Sequence, residues 1–227
     1  MTATWRDGGA RLAAAREWAA GGAFLRPDGL PSAWFHGTDI NAPFNVFARW
    51  EDFSLGFHFG SAEVANARLA DIGMDEAAAP VIIPVWCRAR RPLRLPDLFT
   101  WEQADVVDAL YVAGAVDDEA AEFVEESASA EAVYAAIEEA GYDCVVYGNR
   151  CEFKERETDS LCVWRAELLK SPFAATFDAR DPRLLPQSET AEADLGWWRA
   201  TSTAIEEARS ELRLLRAGRE VAAPRRP

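Results

Sequence analysis

The sequence predicts an α+β domain in which short β-strands lie between helical blocks. Apolar segments that end at glycine or polar residues have the composition of strands, and alanine-rich stretches between them have the composition of helices. Because these elements do not repeat as a regular βαβ series, the pattern favours α+β. The predicted strands are at 33–37, 57–59, 80–86, 143–147 and 160–164.

The first two helices are predicted from their terminal residues. Residues 9–20 are alanine-rich and end at Gly21, a typical helix stop. Ser61 is a predicted N-cap, and the helix after it carries Glu63 in its first turn. Its apolar face is formed by Ala65, Leu69 and Ile72.

The middle of the chain contains the most acidic and most helical region, residues 101–140. Three helices are predicted there, at 101–112, 117–126 and 129–140, and Gly141 is the predicted stop of the last one. In the preceding strand, Pro84 predicts an edge position or a bulge, because proline cannot donate to a sheet. A charged loop is predicted at 148–159.

Three regions follow from this pattern. Residues 1–32 form an N-terminal helical segment, and residues 33–182 form the main domain with 101–140 as an acidic helical insert. Residues 183–227 are predicted to hold a C-terminal helix and a frayed tail. A capping box, Thr203 with Glu206, begins that helix.

Composition excludes several classes of function. The chain has 227 residues and is 49% hydrophobic, so it is long enough to bury a hydrophobic core. Its net charge of −14 disfavours binding to bulk nucleic acid or to anionic membranes. No stretch is apolar enough to span a membrane, and the first residues lack the apolar core of a signal peptide, so a cytoplasmic location is expected.

The four cysteines have no metal-binding spacing, and two histidines cannot form a histidine-rich metal site. No metal is therefore expected. Cys87, Cys144 and Cys162 lie in apolar segments and are predicted to be buried, reduced thiols.

Both histidines occur in the same local context. His36 and His58 each follow an aromatic residue in a short predicted strand and lie near a glycine, where another molecule can approach the backbone. Two matching contexts predict a shared site, whereas a lone histidine in such a context more often has a structural role. The charged loop offers carboxylates to such a site, although a solvated hairpin tip has the same composition. These are Glu152, Glu155, Glu157 and Asp159.

Three motifs resemble the ADP-ribosyltransferase superfamily. His36-Gly37-Thr38 is similar to its opening motif, and the segment 56–61 before a helix is similar to its second motif, with His58 in place of tyrosine. The segment 141–152, followed by 159–164, resembles the C-terminal half of ADP-ribosyltransferase domains in polyvalent proteins of phages and mobile elements. The resemblance covers about residues 33–182 and implies a split, mixed β-sheet with an NAD⁺-binding cleft.

The resemblance also implies roles for individual residues. His36 would contact the ribose on the nicotinamide side, the backbone of Gly37 would hold the carboxamide, and His58 would flank the nicotinamide ring. Asn66 falls where a small polar residue helps to hold the carboxamide, and Leu69 falls where a second stacking aromatic residue usually lies. The substitutes for that aromatic residue are Phe47, Trp50 and Phe53. The remaining residues assigned to NAD⁺ binding are Thr38, Phe59 and Ser61.

The catalytic carboxylate has two candidate positions. In poly-ADP-ribose-polymerase-like proteins it opens the late strand, where this chain has Ser160. In the polyvalent group it follows a Tyr-x-Asn turn, which corresponds to Glu152. Glu152 is the favoured residue, with Glu155 and Glu157 as alternatives.

The implied activity is mono-ADP-ribosylation, with NAD⁺ as a substrate and nicotinamide as a product. A carboxylate near the ribose would stabilise oxocarbenium character, as in glycoside hydrolysis. A macromolecular acceptor is expected, and the acidic charge favours a protein over nucleic acid; a toxin or phage effector would fit. The alternatives are an NAD⁺ glycohydrolase or RNA 2′-phosphotransferase-like enzyme, and an inactive interaction or inhibitor protein of the same fold.

Overall fold

A computed structural model describes residues 8–39, 44–48, 55–71, 80–127, 129–150 and 158–186. The helices within these ranges are α1 (Gly8–Ala19), α2 (Ala62–Asp71), α3 (Gln103–Val112), α4 (Asp118–Ser127) and α5 (Ala130–Glu139). The strands are β1 (Ala33–Asp39), β2 (Phe57–Phe59), β3 (Pro80–Cys87), β4 (Pro92–Leu95), β5 (Cys144–Asn149), β6 (Thr158–Val163) and β7 (Leu169–Lys170). A short 3₁₀ turn at Ala166–Leu168 precedes β7. The predicted α+β class is confirmed.

Local sequence signals account for the helix ends. Gly21 after α1 and Gly141 after α5 have φ angles of 76° and 90°, a left-handed conformation that glycine adopts without strain. At the start of α2, the Ser61 hydroxyl accepts a hydrogen bond from the Val64 N–H at 3.3 Å. The predicted N-cap and both predicted stops are confirmed.

The first sheet has three strands in the order β1-β3-β7, all antiparallel. Pro84 lies opposite Phe35, whose backbone N–H and C=O bond instead to Gly60 on the other side of β1. Backbone groups of successive residues point to opposite sides of a strand, so Pro84 faces away from β1. Strand β7 pairs only with Trp86 and Cys87. Strand β3 is therefore the central strand, not the predicted edge strand, although Pro84 itself lies outside the two residues that pair with β7.

The second sheet has four strands in the order β2-β6-β5-β4. Strands β4 and β5 are parallel, whereas β2–β6 and β5–β6 are antiparallel, so this sheet is mixed. Parallel neighbours need a long crossover connection, and α3, α4 and α5 supply it. The region predicted as an insert is therefore the link between two hydrogen-bonded strands. Strand β4 was not predicted, although Leu93 and Leu95 alternate between two prolines.

The two sheets pack against each other and meet at one bridge. Phe35 of β1 and Gly60 after β2 exchange two backbone hydrogen bonds, each 2.9 Å long. The core between the sheets includes Ile83 and Val85 from the first and Phe59 from the second. Helix α2 covers the outer face of β1, and α3–α5 cover the outer face of the second sheet.

Several predicted boundaries need correction. Strands β5 and β6 extend to Asn149 and from Thr158, so the predicted loop at 148–159 is too long at both ends. The ladder explains the difference, because Gly148 and Asn149 pair with Asp159 and Thr158. Strand β7 was also missed, since two residues carry no periodic signal. Cys87, Cys144 and Cys162 are free and buried, as predicted.

Some predictions lie outside the described residues. These are Trp50, Phe53, Ile72, the glutamates at 152, 155 and 157, and the C-terminal helix with its tail beyond residue 186. Among the described residues, no helix has the length and apolar character needed to cross a membrane.

Candidate functional site

The candidate site lies where β1 and β2 separate. The two strands are bonded at Phe35 and Gly60. If the ladder continued, Gly37 would bond to His58, because hydrogen-bonded pairs recur every second residue. Instead, the His58 carbonyl accepts a hydrogen bond from Nδ1–H of His36, at 2.7 Å. A side chain thus replaces the next backbone pair, and the two strands diverge at this point.

This separation leaves backbone groups facing the gap. By the alternation along each strand, the N–H and C=O of Gly37 and the N–H of His58 point toward the gap. Among the described residues, none of the three has a hydrogen-bond partner. One acceptor and two donors therefore lie along a short length of backbone. A primary carboxamide, with one oxygen and an NH₂ group, has the complementary set.

His36 projects from β1 toward the core between the sheets. Its ring packs edge-on against Phe47, with centroids 5.2 Å apart, and lies 5.5 Å from the Phe59 ring. Burial lowers the pKa of His36; the bond to the His58 carbonyl raises it, and the charge of Arg68 lowers it further. The imidazole is therefore neutral near pH 7. Because Nδ1 carries the proton donated to His58, Nε2 is left as an acceptor for a hydroxyl group.

His58 projects to the opposite side of β2. Its Nδ1 is 3.0 Å from the Tyr147 hydroxyl, and its ring contacts Trp101 at a centroid distance of 4.8 Å. Burial, followed by the charges of His36 and Arg68, lowers the pKa of His58 to about 4. Both imidazoles are thus uncharged at neutral pH. An environment of neutral aromatic rings favours a cationic ring such as the pyridinium of NAD⁺.

Gly37 has a packing role in addition to its backbone groups that face the gap. A Cβ atom at this position would lie 2.2 Å from the carbonyl oxygen of Ala65, in α2. Leu69, one turn further along α2, is buried and packs with Phe35 and Ile82, so it is part of the same contact between α2 and the first sheet. Asn66 is exposed, whereas its neighbour Ala65 is buried. Helix α2 therefore closes the gap on one side through Ala65 and Leu69.

The other predicted binding residues surround the same strands. Thr38 lies in β1 one residue beyond Gly37, paired with Val81 of β3. Phe59 is buried in the core beneath His36. Ser61 caps α2, and its hydroxyl already accepts the Val64 N–H.

Ser160 of β6, the first of the two candidate positions for the catalytic carboxylate, belongs to a buried polar pair. Ser160 and Asn149 are each 1% exposed, and the Asn149 amide donates to the Ser160 hydroxyl at 3.0 Å. Gly60 lies directly against this pair, since a Cβ there would be 3.2 Å from Ser160 Oγ. No carboxylate stands at this position. The favoured Glu152 lies outside the described residues, in the connection from β5 to β6.

Three residues at the site escaped prediction. Trp101 and Tyr147 contact each other, with centroids 4.6 Å apart, and both contact His58. Trp101 does not belong to any of the three sequence motifs, so its position next to His58 becomes evident only in the folded structure. Arg68 is exposed on α2, and its charge lowers the pKa of both His36 and His58. The charge of Arg68 therefore acts on both histidines, whereas the motif at 36–38 and the segment 56–61 contain no Lys or Arg.

The structure brings His36 and His58 together through one hydrogen bond, with their rings on opposite sides of β2. Across the described ranges, no group of three or more histidine, cysteine or acidic side chains is arranged to hold a metal.

Comparison with known proteins does not assign the chain to a family. No family model matches it, and neither curated proteins nor solved structures show significant similarity to it.

Proposed function

We propose that this protein is a mono-ADP-ribosyltransferase that cleaves NAD⁺ and transfers ADP-ribose to a macromolecular acceptor. The supporting observation is the gap between β1 and β2, where backbone groups of Gly37 and His58 that have no partner among the described residues match a carboxamide. Two neutral imidazoles flank this gap. The resemblance of three motifs to ADP-ribosyltransferases gives an independent reason to place nicotinamide there.

The reaction would use the chain's residues as follows. The Gly37 backbone and the His58 N–H bind the carboxamide, and Nε2 of His36 accepts a hydrogen bond from a ribose hydroxyl. When the bond from ribose C1′ to nicotinamide breaks, its electron pair leaves with a neutral nicotinamide, so no acid is required. The acceptor bonds to C1′ and gives its proton to a carboxylate, for which Glu152 is proposed.

The proposal predicts a large loss of activity in His36→Ala. Removing the imidazole eliminates the hydroxyl acceptor and frees the His58 carbonyl, so we expect nicotinamide release from NAD⁺ to fall about 100-fold. Asp108→Ala is the control, because Asp108 is exposed on α3. Release is measured with and without cell lysate, and equal activity of His36→Ala and Asp108→Ala would contradict the proposal. Glu152→Ala tests the carboxylate separately.

Arg68 is proposed to interact with the pyrophosphate of NAD⁺. It is exposed, has no ion pair among the described residues, and lies near both histidines. We expect Arg68→Ala to raise KM for NAD⁺ about tenfold with little change in kcat, because a charge-assisted hydrogen bond is lost in ground and transition states alike. Arg68→Lys should retain most of the affinity. A decrease confined to kcat would contradict this role.

One observation favours a second candidate, an NAD⁺-binding protein without turnover. Ser160, buried against Asn149, occupies the position at which poly-ADP-ribose-polymerase-like proteins carry their glutamate. For this candidate, calorimetry would detect NAD⁺ binding that depends on His36, while nicotinamide release stays at the uncatalysed rate. Nicotinamide release without transfer to lysate proteins would instead indicate a glycohydrolase.

A further inference from the structure

The charge of this protein is concentrated in one region. Residues 101–140 contain twelve Asp and Glu residues and no Lys or Arg, whereas the net charge of the whole chain is −14. Several of these carboxylates are exposed and form no ion pair among the described residues, including Asp108, Glu119, Glu122, Glu125 and Glu126. A concentration of one sign of charge creates a potential that attracts the opposite sign.

Large apolar side chains are exposed within the same region. Val112 is 85% exposed, Phe123 is 65% exposed and Tyr111 is 50% exposed. They lie on α3 and α4, which pack against each other. We define the acidic face by Asp108, Tyr111 and Val112 of α3 and Glu119, Glu122 and Phe123 of α4. Exposed apolar side chains among unpaired charges of one sign are typical of a binding surface.

The helix ends reinforce this electrostatic imbalance. Neither α3 nor α4 has a basic residue in its last turn. Helix α4 instead carries Glu125 and Glu126 there, next to the negative end of the helix dipole. A cationic partner at this position would reduce repulsion that the described residues leave uncompensated.

The chain contains a segment with the complementary chemistry. Residues 208–227 contain six Arg and two Glu, a net charge of +4. Within its first part, Ala208, Leu212 and Leu215 are spaced for one helical face, and Arg209, Arg213 and Arg216 follow them one residue later. The arginines of this segment are complementary in charge to the carboxylates of the acidic face, and its leucines can pack against the exposed aromatic and aliphatic side chains of that face.

The length of chain permits this contact. The last described residue is Pro186, and about 20 residues separate it from the basic segment, enough to span roughly 70 Å when extended. We propose that residues 208–227 bind the acidic face of the same molecule. This inference concerns α3 and α4 and does not depend on the proposed enzymatic activity.

Hydrogen–deuterium exchange of the full chain tests the proposal. The triple variant R209E/R213E/R216E reverses the charge of the segment, and R209K/R213K/R216K is the matched control that preserves it. We expect the first variant to exchange about tenfold faster in the amides of both 118–127 and 208–219, and the second to match the native chain. Adding D108R/E119R/E122R to the reversed segment should restore protection.

A measurement on the native chain provides a second test. Raising NaCl from 0.05 M to 0.5 M should accelerate exchange in the same two regions, because salt screens exposed charges. The proposal is overturned if charge reversal and salt leave 118–127 unchanged, or if the charge swap fails to restore protection. Protection that increases with protein concentration would also overturn it, since the segment would then bind a second copy.

Discussion

Replacing Gly37 with alanine is expected to lower the free energy of unfolding by about 3 kcal/mol or more, a large fraction of the roughly 5–15 kcal/mol that stabilises a typical domain. The added Cβ would lie 2.2 Å from the Ala65 carbonyl oxygen and 3.0 Å from its carbon. These are backbone atoms of α2, so no rotamer change can relieve the overlap. To accommodate the added methyl group, either α2 must move away from β1 or β1 must move further from β2.

Gly9→Ala is the matched control for this prediction. Gly9 lies in α1, and a Cβ there would meet nothing within 4 Å. Alanine favours helices over glycine by about 1 kcal/mol, so the control should be neutral or slightly stabilising. Urea unfolding followed by circular dichroism compares the two variants. A stable, folded Gly37→Ala protein would contradict the close contact of β1 with α2.

Acidification is expected to remove up to about 3 kcal/mol of stability through His58. Its folded pKa is about 4, below the ordinary value of 6.5. Between these two pH values the unfolded chain binds a proton that the folded chain does not bind, so stability increases with pH. The contribution is therefore complete above about pH 6.5 and is lost as the pH falls through 4.

His58→Phe separates this effect from other titrations. Phenylalanine keeps a flat ring beside Trp101 but cannot be protonated. His36 also has a lowered pKa, but it is present in both proteins. Asp28, Glu167 and Asp181 have lowered pKa values too, and the stability that they contribute is lost at lower pH in both proteins. The free energy of unfolding is measured from pH 7 to 4.5. Parallel pH profiles for the native chain and His58→Phe would contradict the neutral state of His58 in the folded protein.

The elements with local signals were predictable from the sequence. The glycine stops at Gly21 and Gly141 and the Ser61 cap are confirmed because each acts within a few residues of its helix. Strand β2 has the predicted limits because glycines flank a short apolar run. Strands β4 and β7 escaped prediction, since their pairing depends on residues more than 50 and 80 positions away in sequence.

The candidate site was predictable only in part. Matching sequence contexts indicated that His36 and His58 would be neighbours, and the hydrogen bond between them agrees with this. Their opposite directions could not be predicted, because they depend on the register between β1 and β2 rather than on either motif. Trp101 was assigned to a helical region for its composition, and its contact with His58 depends on how that region packs on the second sheet.

The crossover from β4 to β5 has a consequence for biosynthesis. Strand β4 leaves the ribosome about 50 residues before its partner β5, and β2 emerges about 100 residues before β6. The second sheet therefore cannot assemble until residues near 163 have been made, and loops of this length slow folding. During synthesis the strands of the first half have unpaired edges, which are open to pairing with other chains. The carboxylates of residues 101–140 emerge during that interval, and their mutual repulsion disfavours association between nascent chains.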